Sequence, residues 1–331
     1  MKYSDIYIKN RARKSWQFQY FMHQFVESGI RNGMLPLKEH GLSRFMQRIL
    51  NRILSWRCVP TCFFPKSPKK VIITSRGGEL YTNAFPYYGY EIIPMLWDVW
   101  PSSWSLLYRD LRMLRCKQVF VTSRYMAEKL EKDLGIQAYW IPEGIDIADY
   151  DKGGNLEERP IDIYELGRQH KEYNKVLDKC VKKGIVHSLK RNEYDPKSGA
   201  LLKLAYPTAK DLIAGLNQIK IVVSFPHIDT HPNNAGPVET LTQRYWEAML
   251  SRCLIIGRAP KELVDFIGYN PVIEVDWEHP EKQLSEILKN ICEYQKLTNK
   301  NYDTALKMAS WDNRIITIKS ILSNNNIKIL K

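Results

Sequence analysis

Between residues 69 and 143, short apolar runs alternate with stretches of helical period. The runs are KKVIITS (69–75), YEIIPMLWD (90–98), CKQVFVTS (116–123) and QAYWIPE (137–143), each of strand length and rich in branched or aromatic residues. Between the last three lie WSLLYRDLRMLR and SRYMAEKLEKDLG, the second with a serine cap and a glycine stop. Everything before about Pro65 reads mostly helical. Apolar strands alternating with amphipathic helices predict a parallel sheet covered on both faces.

The alternation breaks at residues 143–160, EGIDIADYDKGGNLEERP, which has Gly, Asp and Pro and no apolar period. It then restarts: IDIYELG, a helix from His170, IVHSLKR, a helix from Thr208, and IKIVVSFP. VETLTQRYWEAM (238–249) supplies a further helix, CLIIG a strand, PKELVDFIG a helix and PVIEVD a strand. Three helical patterns follow. The pattern predicts two α/β domains, 1–152 and 153–331, with the boundary near Gly153 and a cleft between them. Ligands of open parallel sheets bind beyond the carboxyl ends of the strands. With no G-x-G-x-x-G and no G-x-x-x-x-G-K-[ST] in the sequence, dinucleotide and P-loop chemistry are disfavoured.

A length of 331 residues suits two domains, and 44% hydrophobic residues suffice for two cores. The net charge of +13 favours an anionic partner: nucleic acid, an anionic membrane or a phosphorylated substrate. The first is set aside because no zinc-finger spacing or RNA-binding aromatic motif is present. Six scattered cysteines, the absence of an apolar leader and the absence of a run long enough to span a bilayer suggest a cytoplasmic protein with free thiols.

The stretch at 238–249 carries two carboxylates, Glu239 and Glu247. On one unbroken helix they would stand about 80° and about 12 Å apart, too far to grip one atom. If the helix starts near Thr242, Glu239 lies on its mouth, Glu247 lies inside it, and the free N–H groups of the first turn fall between them. Such an end attracts phosphate. A ligand with hydroxyl-rich groups on either side of a diphosphate, as in a nucleotide-sugar, fits that spacing. Taken alone, the pair also reads as two solvated helix glutamates. ELGR (165–168), with Lys171 and Lys175 after it, places cations where a leaving diphosphate would need them.

In order, the chain shows IPEGID, GR with a downstream lysine, Glu239-x7-Glu247 and EAMLSRCLIIG. This set resembles the retaining GT-B glycosyltransferases of family 4, the "glycosyl transferases group 1" type, over about residues 70–320. The resemblance implies two Rossmann-like domains facing a cleft, with C-terminal helices packing back and the last helix crossing to the first domain. It implies metal-independent hexosyl transfer from a nucleotide-diphosphate-sugar to an acceptor hydroxyl. By the same resemblance Glu247 would bind the ribose, and Glu239 would sit beside the donor sugar. Arg168 with Lys171 or Lys175 would hold the diphosphate, with backbone donors at Thr240, Leu241 and Thr242. Asp98, in a Trp97-Asp98 pair, stands where members carry His-Asp. Gly77 and Gly78 of SRGGEL are the best substitute for a glycine-rich loop.

His227, Asp229 and His231 would share one face of an extended strand, a weak metal motif beside a pair of prolines. His227 is instead expected to contact the donor or the acceptor, and no metal or other cofactor is implied. Asp149-Tyr150-Asp151 reads as a chance D-x-D. Residues 41–56, GLSRFMQRILNRILSW, form the sharpest amphipathic segment. The first expectation is an apolar stripe packed on the domain core. The other is an interfacial helix on an anionic membrane, at its inner face. The partners read from the chain are thus a nucleotide-sugar donor, a lipid-linked or polysaccharide acceptor and an anionic membrane surface, with no nucleic acid. A nucleotide-sugar epimerase and a non-catalytic nucleotide-sugar-binding protein are the alternatives.

Overall fold

The computed structural model describes residues 6–9, 20–37, 44–195, 198 and 200–323. Its first sheet takes β1 (Ile6–Lys9), β2 (Leu35–Pro36), β3 (Lys70–Arg76), β4 (Glu91–Trp97), β5 (Gln118–Val121) and β6 (Gln137–Trp140), all parallel in the order β2-β1-β3-β4-β5-β6. Helices α1 (Tyr20–Arg31), α2 (Arg44–Ser55), α3 (Leu80–Ala84), α4 (Trp104–Met113) and α5 (Arg124–Leu134) connect them. The central strands are buried along their interiors, with Lys70, Arg76, Glu91 and Gln118 reaching solvent at their ends, so their middles read as apolar runs. Pro94 is tolerated inside β4 because β5 pairs only with Met95 and Leu96, beyond it.

The second sheet runs β13-β12-β11-β7-β8, again parallel. Its elements in chain order are β7 (Ile161–Glu165), α6 (Lys171–Lys182), β8 (Leu189–Lys190), the antiparallel pair β9 (Glu193–Tyr194) and β10 (Leu201–Lys203), α7 (Ala209–Leu216) and β11 (Ile219–Ser224). The short helices α8 (His227–Thr230) and α9 (Pro232–Ala235) follow, then α10 (Gln243–Leu250), β12 (Leu254–Gly257), α11 (Lys261–Ile267), β13 (Val272–Glu274), α12 (Pro280–Lys289) and α13 (Gln295–Met308). Helix α14 (Trp311–Ser323) belongs with the first sheet, where Trp311 stacks edge-on with Phe25 at 5.3 Å and Trp97 at 6.0 Å.

The chain thus divides into Met1–Pro142, Asn234–Val238 and Trp311–Lys331 on one side and Glu143–Asn233 with Glu239–Ser310 on the other. The crossing falls ahead of the Gly-rich stretch because residues 143–150 already belong to the second core. Ile145 and Tyr150 are buried there, and Ile145 bridges to Ser310. The stretch before Pro65 also holds two strands, β1 and β2, too short to leave a period.

The apolar stripe of α2 does not pack as first expected. Leu54 is buried and Leu50 half-buried, but Phe45, Met46, Ile49 and Ile53 are exposed. The helix meets its unit along one edge only, with Arg57 beyond its end locked to buried Asp110. Gly41, Leu42 and Ser43, the start of that segment, lie outside the described residues. Among the described residues no helix is long and apolar enough to cross a membrane.

Candidate functional site

In the second unit the carboxyl ends of three neighbouring strands converge. After β7 come Gly167 and Arg168, after β11 come Phe225 to His227, and after β12 comes Arg258. Backbone shape is strict here. Gly257 has φ +141°, and a Cβ on it would lie 2.0 Å from the Ser224 carbonyl oxygen. Gly167 has φ +86°, and a Cβ on it would lie 2.9 Å from Cζ of Arg244. Both positions need glycine.

Helix α10 begins after Thr242, so Glu239 precedes it and Glu247 lies within it. Glu239 is already engaged: its Oε1 stands 2.6 Å from Nη2 of Arg258, and its Oε2 accepts the Lys261 N–H at 3.2 Å. Arg258 also donates twice to Asp229, at 2.6 and 2.8 Å. The two carboxylates hold the guanidinium pKa above its ordinary value. Asp229 sits on one turn of helix, α8, rather than on an extended strand, so His227, Asp229 and His231 do not share a face as in a strand. Among the described residues no group of three or more His, Cys, Asp or Glu is placed to hold a metal.

Glu247 is partly buried, and Tyr150 donates to it at 3.5 Å. Burial pushes its carboxyl up to about 7, against the pull of the Arg244 charge and the Tyr150 hydrogen bond. His227 stacks with His231 at 5.1 Å. Burial, with the charges of Arg168 and Arg244, lowers His227 to about 3, and His231 is lowered by burial and by Arg168, Lys171 and Arg244. Two neutral imidazoles therefore stand among three cations, Arg168, Lys171 and Arg244. Lys175 is not among them. It lies on the exposed face of α6 and pairs with Glu172 at 2.9 Å.

The helix mouth differs from expectation. Leu241 donates its N–H to buried Glu262 at 3.0 Å, and Gln243 donates its own to buried Glu143 at 2.9 Å. The carboxylates of the chain itself occupy these donors, as the positive end of a helix favours. Thr242 stands at the N-cap without a side-chain capping bond, and Thr240 precedes it.

The remaining expected residues belong to the first unit. Asp98, at φ +49°, pairs with Arg76 at 3.1 Å. Gly77 donates its N–H to the Trp97 carbonyl, and the Gly78 carbonyl accepts from Arg57 at 2.7 Å. A Cβ on Gly77 would overlap Ser103 Oγ at 2.3 Å, so close packing requires this glycine.

Sequence reasoning missed Arg244, Arg258, Glu143 and Glu262, and read Asp229 only as part of a weak metal motif. The rule that singled out Arg168, a cation just past a strand, applies equally to Arg258 after CLIIG. Arg244 lay inside the stretch between the two glutamates. Nothing local marks Glu143 as the partner of a residue one hundred positions on.

No protein-family model and no curated protein matches the chain. Among solved structures, sucrose-phosphate synthase from Thermosynechococcus elongatus matches over 96% of this chain and 98% of its own, at a TM-score of 0.60 and 11% identity. Anabaena Alr3699/HepE, in complex with UDP-glucose, matches over 96% and 99% at 0.59 and 9%. AviGT4, a glycosyltransferase involved in avilamycin A biosynthesis, matches over 95% and 96% at 0.53 and 12%. At such identities the likeness is one of fold: this is an α/β chain with two parallel sheets and the architecture of the GT-B glycosyltransferases.

Proposed function

We propose that the chain is a retaining, metal-independent glycosyltransferase of the family 4 type, taking a hexosyl group from a nucleoside-diphosphate sugar. One observation carries the reading: Arg168 follows β7 at the strand ends of the second unit, Arg244 packs against Gly167 beside it, and the charges of both reach His227 and His231, with that of Lys171 reaching His231. Three cations around these histidines, Arg244 also beside Glu247, suit a dianionic diphosphate. The shared fold of Alr3699/HepE, solved with UDP and with UDP-glucose, supports the same donor class.

In this reading the bond from the anomeric carbon to the diphosphate oxygen breaks. The acceptor oxygen bonds to that carbon on the face the diphosphate leaves, and the acceptor proton passes to a diphosphate oxygen. Negative charge on the diphosphate grows as the bond breaks, so the cations bind the transition state more strongly than the ground state. Glu247, beside Arg244, takes the ribose hydroxyls. Glu239, held by Arg258, stands beside the sugar, and His227 offers a neutral contact. Asp98 of the first unit is assigned to the sugar or the acceptor, which is a lipid-linked or surface-polysaccharide intermediate.

Titration calorimetry with UDP, ADP, GDP and their sugars tests the donor class. Binding of at least one diphosphate, lost in Arg168→Ala/Arg244→Ala, is the expected result. A folded chain that binds none of them ends the reading. Turnover that stops in chelator and returns with manganese or magnesium would overturn metal independence.

A further inference from the structure

Helix α2 turns an apolar arc to solvent. At 100° per residue, Phe45, Met46, Ile49 and Ile53 fall within about 100° of one another. With Trp56 and Phe63 beyond the helix they are 40–78% exposed, while Leu54 on the packed edge is 1% exposed. Six large apolar side chains exposed between residues 45 and 63 are more than the scattered exposure of an ordinary surface. It is not the product of a loose helix end. Arg57, just past α2, donates to Asp110 at 2.5 and 3.0 Å, to the Ser55 carbonyl at 2.9 Å and to the Gly78 carbonyl at 2.7 Å.

The charge beside this arc has one sign. Residues 41–70 contain seven Lys or Arg and no Asp or Glu. In the sequence Arg44, Arg48 and Arg52 recur at every fourth position, and Arg52 lies on the arc of α2 next to the apolar one. A second copy of the chain placed face to face would bring these like charges together, which argues against self-pairing. A helix of 12 residues is about 18 Å long, too short to cross a bilayer but suited to lying in its interface.

We propose that the α2 face, with Trp56 and Phe63, docks the first unit onto an anionic lipid surface. Phe45, Ile49 and Ile53 enter the acyl boundary, Trp56 sits at headgroup level, and Arg52 meets the lipid phosphates. This inference does not use the donor site, and it stands or falls apart from the glycosyltransferase reading.

Co-sedimentation of the full chain with phosphatidylcholine vesicles, with and without phosphatidylglycerol, tests it. Binding should need the anionic lipid and fall about tenfold or more as salt shortens the Debye length. Phe45→Ser/Ile49→Ser/Ile53→Ser should weaken binding at least about tenfold, the apolar area being lost, with an unchanged melting curve because the positions are exposed. Brominated phosphatidylglycerol gives a second measurement that leaves the helix intact: quenching should be larger in the wild type than in Trp56→Phe. Equal quenching, a triple variant that binds as well as the wild type, or equal binding to pure phosphatidylcholine would overturn the proposal. So would a wild type that ignores vesicles but forms a dimer that the triple variant dissolves, since a second copy would then be the occupant.

Discussion

The two sheets of this chain end differently. At the strand ends of the first unit Arg76 pairs with Asp98, Arg57 pairs with Asp110 in the interior behind them, and Lys9 at the end of β1 donates to the Asn83 and Phe85 carbonyls. The glycines there are spent on close packing. At the strand ends of the second unit, Arg258 has two carboxylates, the charges of Arg168 and Arg244 both reach His227 and His231, Lys171 reaches His231, and Arg244 also reaches Glu247. Sheets of the same construction therefore carry unlike electrostatics. A surface with its charges paired internally is stable without a ligand, whereas clustered cations are stabilised by an anion that binds among them. In the proposed reading, the anionic half of the substrate is assigned to the second unit.

The largest effect expected from breaking this contrast is structural. Asp110→Ala strips Arg57 of its buried partner and leaves the Tyr81 N–H unpaired. The loss should be about 3–5 kcal/mol of first-unit stability. Denaturant unfolding should show it, with nucleoside-diphosphate affinity in the folded protein unchanged. Next in size, Arg168→Ala should lower turnover at least about a hundredfold while weakening donor binding less, the signature of a group that acts on the transition state. Steady-state kinetics checks the split, and equal small changes in both parameters would remove Arg168 from this role.

Glu247→Ala should cost about 1–3 kcal/mol in affinity for the bare nucleoside diphosphate, since the ribose is its assigned partner. Protonation sharpens the same assignment. The Glu247 carboxyl is raised to about 7, so the folded state keeps its proton as pH rises past the ordinary carboxylate range. That contribution to stability is complete below pH 4.5 and is lost as pH rises through about 7. A ribose that donates to the carboxylate favours the ionised form, so binding near pH 7 should release protons. Calorimetry in buffers of differing ionisation enthalpy reads this release. Glu165, also raised to about 7 by burial, titrates in the same window, so the difference between wild type and Glu247→Gln isolates the effect. Smallest of all, Asp98→Asn should change stability by less than about 1 kcal/mol, because its pair with Arg76 is partly solvated. Thermal melting checks it.

Much of this contrast was legible in the sequence, and the rest had a physical reason to be hidden. Local chemistry announced α5: Ser123 accepts the Met126 N–H at 3.4 Å, and Gly135 ends the helix at φ +64°. The same holds for β11 and β12, whose apolar runs need no partner to be recognised. Supposing a helix start near Thr242 put Glu239 ahead of α10, where the structure has it. What the sequence hid were choices among distant partners. Glu143 and Glu262 take the N–H groups expected to serve a phosphate, and Arg258 selects Asp229 and Glu239 from many available carboxylates. The face of α2 was hidden for a similar reason. A period of 3.6 marks an apolar stripe but does not say what covers it.

Helix α14 has a consequence for how the protein is made. Phe25 and Trp97 are synthesised early, yet Trp311, which completes their aromatic cluster, emerges only after the whole second unit. At ribosomal speeds of about 5–20 residues per second, the first core waits roughly ten to thirty seconds for its last member. During that interval its apolar surface is open to holding chaperones. The second unit, closed by Ser310 before α14 appears, is in a position to fold first although it begins later.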